Sequence, residues 1–153
     1  PGLFPAGQVL KSMVQNVDIA PTILSCAGLD KPAQMVGESY IPLLQGKEIP
    51  WRNRIFYEYY WEHEYPQTPT MHGVRTDNYK YIRYHGIWDT NEFYDLNEDP
   101  SELQNRIADP EYQDIIKQLD ADLYDWLETT NGMFIPLKRT VRPHNDHRNE
   151  GNY

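Results

Sequence analysis

Hydrophobic positions fall into two different rhythms along this chain. Between Arg54 and Leu96, aromatic and β-branched residues gather in short runs. Arg54-Ile55-Phe56-Tyr57-Glu58-Tyr59-Tyr60, Val74 to Thr76, Tyr79 to Tyr84 and Glu92-Phe93-Tyr94-Asp95-Leu96 read as strands. Asp77-Asn78 is a two-residue connector of a kind that tolerates positive φ, so the middle two runs form a β-hairpin. A hairpin alone is marginal in water, and the outer runs are expected to complete one sheet with it. After Pro110 the rhythm changes. Tyr112, Ile115, Ile116, Leu119, Leu123, Trp126 and Leu127 recur at three- and four-residue steps, the stripe of an amphipathic helix. Asp109 is its expected N-cap, Pro110 its first residue and Asn131-Gly132 its end. The fold class is therefore α+β: a small antiparallel sheet covered by one long C-terminal helix.

The first fifty residues carry shorter signals. Met13 to Asn16 is expected to end a strand. Asp18 offers an N-cap to a short apolar helix through Ile19, Ile23, Leu24 and Ala27, with Gly28 as its terminator. Ser39 offers a cap to a second short helix through Leu44, and Gly46 follows at its end. A boundary falls near Pro50, separating short helices and loops from the strand-rich unit. That gives segments 1–50, 51–132 and a tail, 133–153.

Composition narrows the chemistry. At 153 residues the chain is long enough for one ordinary core. Its formal charge of -9 argues against nonspecific nucleic-acid binding. The basic residues after Lys138 are interrupted by Asp146 and Glu150 and read as a solvated terminus. No stretch approaches the roughly 18 apolar residues of a membrane span. Cys26 is the single cysteine, which excludes an internal disulfide; its apolar setting suggests a buried, inert thiol. Asp120, Asp122 and Asp125 read as solvated charges on the outer helix face.

No catalytic motif stands out. His63, His72 and His85 with Glu62 and Glu64 match no metal-ligand spacing, and there is no nucleophile elbow. What remains is the aromatic and acidic loop from Trp61 to His72, with Arg75 beyond it. At that length, between strands, such a loop is more often functional than a plain connector. Two readings stay open. Arg75 pairs with Glu58 across strands, and His63 and His72 are merely exposed. Alternatively, His63, His72 and Arg75 form an anion-binding edge beside rings that could stack on a sugar.

One ordered series of motifs resembles a known family. It comprises Asn16-Val17-Asp18-Ile19-Ala20-Pro21-Thr22, Met35-Val36-Gly37-Glu38-Ser39, Gly73-Val74-Arg75-Thr76, Tyr79-Lys80-Tyr81-Ile82, Phe93-Tyr94-Asp95-Leu96 and Asp99-Pro100-Ser101-Glu102. The series is similar to the C-terminal third of type I, formylglycine-dependent sulfatases. The resemblance implies that residues 1–50 close a larger α/β sulfatase domain and that 51–132 form the C-terminal subdomain. It implies a calcium ion and a formylglycine in the full-length enzyme, and neither in this stretch. Cys26-Ala27-Gly28-Leu29-Asp30 does not fit the formylglycine motif, so catalytic residues are expected to be absent here. The implied partners are the N-terminal catalytic domain and a sulfated carbohydrate, with His63, His72 and Arg75 as substrate contacts. The implied location is secreted, periplasmic or lysosomal. The competing reading is an autonomous binding module for anionic carbohydrate.

Overall fold

A computed structural model of the chain describes residues 2–61, 68–86 and 89–134. Four antiparallel strands form one sheet in chain order: β1 (Arg54–Tyr59), β2 (Met71–Thr76), β3 (Tyr79–Tyr84) and β4 (Glu92–Asp95). Among the described residues three α-helices accompany it: α1 (Ile19–Cys26), α2 (Ile41–Leu44) and α3 (Gln113–Thr129). The α+β expectation, with one long helix on a small sheet, is met.

The sheet has two unlike faces because side chains alternate along each strand. Phe56, Val74, Tyr81 and Phe93 are register neighbours on one face. That face meets the buried stripe of α3: Ile116, Leu119, Leu123 and Leu127. Phe56 and Trp126 stack with centroids 4.7 Å apart, tying the edge strand to the helix. The second face carries Ile55, Tyr57, Gly73, Arg75, Lys80 and Ile82, which α3 does not cover.

Two acids expected to be solvated instead pin the helix. Asp120 accepts from Arg83 and from the Tyr81 hydroxyl, each at 2.9 Å, and Asp122 pairs with Arg54. Both flank the apolar stripe, where long arginines from β1 and β3 can reach past the core.

The hairpin turns between Thr76 and Tyr79 as expected, but neither Asp77 nor Asn78 takes positive φ. The Thr76 hydroxyl holds the turn instead, accepting from the amides of Tyr79 at 3.0 Å and Asn78 at 3.3 Å. The side chain of Asp109 does not cap the long helix. It pairs with Arg106, and a 3-10 turn over Pro110–Tyr112 leads into α3. At the other end Asn131, not a glycine, takes the left-handed conformation, and the Gly132 amide closes on the Leu127 carbonyl at 2.8 Å.

Met13 to Asn16 form no strand, and Asn16 opens a 3-10 turn. The Met13 carbonyl accepts from the Trp51 indole at 2.7 Å. α1 ends as expected, with Gly28 left-handed and Leu29 bonded back to Leu24. Its apolar side is open: Ile19 and Ile23 are exposed, and so is Cys26, contrary to the buried thiol expected. What α1 buries is Pro21 and Thr22, against a polar knot.

Asp18 is the centre of that knot. Its carboxylate does not cap α1. It is fully buried and accepts from the amides of Gln15 at 2.8 Å and Glu38 at 2.9 Å, and from both terminal nitrogens of Arg52. Gly37 lies so close to the Val17 carbonyl that a Cβ there would collide with it. Burial alone would raise the Asp18 pKa, but these donors outweigh it and hold the carboxyl below its ordinary value.

Candidate functional site

One end of the sheet gathers the titratable residues that matter. Tyr60 and Trp61 follow β1, Thr70 leads into β2, and His85 follows β3. Thr70 joins the segments. Its hydroxyl accepts from the Trp61 amide at 2.9 Å, and its carbonyl accepts from the His85 amide at 3.0 Å. Trp61 is 42% exposed, and His85 is also exposed.

His72 stands opposite Glu58 and Arg83 on the helix-covered face and is only 2% exposed. Its Nδ1 lies 2.8 Å from Nε2 of His85, with the rings nearly perpendicular. The ring of Tyr60 meets that of His72 edge-on at 5.5 Å. His72 Nε2 is buried and has no hydrogen-bond partner among the described residues. Burial lowers the His72 pKa, a charge on His85 would lower it further, and Glu58 works against both. Burial also lowers that of His85, with Arg83 adding to the effect and Asp120 opposing it. The Tyr60 hydroxyl donates to Glu58 at 2.7 Å; burial and that carboxylate push its pKa up to about 12.

The three residues expected to share a substrate edge are not brought together. His72 and Arg75 are three positions apart in one strand, an odd number, and therefore face opposite sides of the sheet. Arg75 is exposed between Ile55 and Lys80, not beside Glu58, so the cross-strand pair with Glu58 does not form. His63, with half of the loop from Trp61 to His72 (62–67), lies outside the described residues, as do all residues after Phe134. His85 had no place in the expected site, because it entered only as a third metal ligand with unsuitable spacing. Its register position beside His72 is what marks it.

Among the described residues no three His, Cys, Asp or Glu side chains converge as a metal site. The most buried carboxylate, Asp18, is already saturated by four donors. These residues do not fit a calcium ion, which needs six or more oxygen ligands. No described helix is long and apolar enough to cross a membrane.

Residues 1–129 match the family model described as N-sulphoglucosamine sulphohydrolase, C-terminal. The chain belongs to this family of sulfatase C-terminal regions. It is 34% identical over 125 residues to an N-acetylglucosamine-6-O-sulfatase of Bacteroides thetaiotaomicron, covering 78% of this chain and 22% of that protein. A Delta 4,5-hexuronate-2-O-sulfatase of the same organism is 33% identical over 130 residues, covering 84% of this chain and 26% of that protein. A solved structure described as bound to its substrate, D-glucosamine-2-N,6-O-disulfate, superposes with a TM-score of 0.75 at 28% identity. That match covers 89% of this chain and 28% of the other. The chain thus spans about a quarter of the length of the relatives it matches.

Proposed function

We propose that the protein carrying this chain hydrolyses sulfate esters on a sulfated carbohydrate, and that this chain completes its fold and borders the substrate cleft. The family match over residues 1–129 carries the reading. Two relatives named as sugar sulfatases and a neighbour holding a disulfated glucosamine support the substrate class. In this reading the nucleophile, a formylglycine, and a calcium ion belong to the longer part that the relatives possess. A sulfated-glycan substrate agrees with a secreted, periplasmic or lysosomal location.

The division at residue 50 belongs to the same proposal. Residues 2–50 have almost no core of their own: Asp18, Pro21, Thr22, Gly37 and Ile41 are what they bury, while Ile23 is 62% exposed. Apolar surface of that kind is costly to leave in water. It supports residues 1–50 as the closing piece of an α/β domain, with 51–132 as the subdomain and 133–153 as a tail. Of the expected substrate contacts, burial leaves His72 an indirect part. Arg75 would serve on the uncovered face, and His63 from the loop after Trp61.

The test is turnover. The full-length protein should release sulfate from glucosamine 6-sulfate and lose that activity on calcium chelation; this chain alone should release none. A full-length protein that leaves every sulfated sugar intact sinks the proposal. Saturable binding of sulfated sugar by the chain alone would favour the autonomous binding module.

A further inference from the structure

The His72–His85 contact is short, and only one of the two rings is accessible. A neutral imidazole carries one proton, so one ring donates and the other accepts across the 2.8 Å gap. If His85 donated from Nε2, His72 would hold its own proton on Nε2, as a buried N–H without an acceptor. If His72 donates from Nδ1, its buried Nε2 keeps only a lone pair. Orphaned buried N–H groups are rarer than under-used acceptors, so the second arrangement prevails. The His85 proton then sits on Nδ1, directed away from His72. His85 is exposed, and Nδ1 makes no hydrogen bond among the described residues.

We propose that His72 positions His85 so that its Nδ1–H donates to an anionic oxygen of a bound sugar. Thr70 sets this geometry. It accepts from the His85 amide through its carbonyl and from the Trp61 amide through its hydroxyl, so the backbone that carries His85 is held at the sheet end. A sulfated sugar fits this donor, because sulfate oxygens accept from the N–H. The ligand class rests on the proposed sulfatase function. The donor assignment rests on the geometry alone.

The test uses the full-length protein with glucosamine 6-sulfate and unsulfated glucosamine as probes. Calorimetric titration should show that His85→Ala weakens the sulfated sugar about tenfold, as for loss of one hydrogen bond to a charged group, and leaves glucosamine unchanged. His72→Phe should lose part of the same preference, and the double variant no more than His85→Ala. Nitrogen NMR of the parent should find the His85 proton on Nδ1. Equal affinities for parent and His85→Ala, a parent without preference for the sulfated sugar, or a proton on Nε2 would each overturn the inference. Sulfate release is assayed separately. A discriminating His85 in a protein that releases no sulfate removes the hydrolytic reading and leaves the donor standing.

Discussion

Arg52 grips the buried carboxylate of Asp18 with both terminal guanidinium nitrogens, although 34 positions separate them. The pair joins the short helices to the strand that starts at Arg54. Removing one partner of a buried pair strands the other charge, typically costing about 3–5 kcal/mol. Asp18→Ala should lower the unfolding free energy obtained from urea titration by that amount. Because the folded carboxyl titrates below its ordinary value, the stability it adds is full above pH of about 4 and fades as pH falls through the lower folded value. The variant should show a flatter acid limb; an unchanged limb would contradict the assignment.

The histidine pair predicts a second pH dependence, in a different window. Both folded pKa values lie below the ordinary 6.5, so the neutral forms are favoured by folding. That stability is present above pH 6.5 and is lost as pH falls through the lower folded values. Urea midpoints measured from pH 7.5 to 5 should decline for the parent and decline less for His72→Phe.

Two glycines separate collision from backbone strain. At Gly37 an added methyl meets the Val17 carbonyl, whereas at Gly28 nothing lies within 4 Å and only the positive φ resists. Gly28→Ala should cost about 1–2 kcal/mol. Gly37→Ala should cost more, because backbone must move beside the buried Asp18. Thermal melts of the two variants should rank in that order.

Leu123 is fully buried under the sheet, and Leu103 is 82% exposed. Leu123→Ala should lose about 2–5 kcal/mol, and Leu103→Ala should stay within about 0.5 kcal/mol of the parent. Denaturation curves giving equal losses would mean that α3 does not sit on the sheet.

The elements were readable because their causes are local. The helix stripe from Tyr112 to Leu127, the turn at Asp77-Asn78 and the stops at Gly28 and Gly46 each depend on residues within a few positions. So did one correction: a spacing of three within a strand already puts His72 and Arg75 on opposite faces. The candidate site was less legible. His72 looked like an exposed contact until α3 covered its face, and His85 lacked meaning until register set it beside His72.

By itself, then, the sequence determined the strands, the long helix, their α+β arrangement and the sulfatase kinship. Periodicity, turn chemistry and motif order are all written along the chain. Only the tertiary structure decided which charges are solvated and which are held. Asp18 found Arg52, Asp120 found Arg83 and His72 found His85 across gaps that no local period encodes. Those pairings depend on how the helix crosses the sheet, on strand register and on the water each contact excludes.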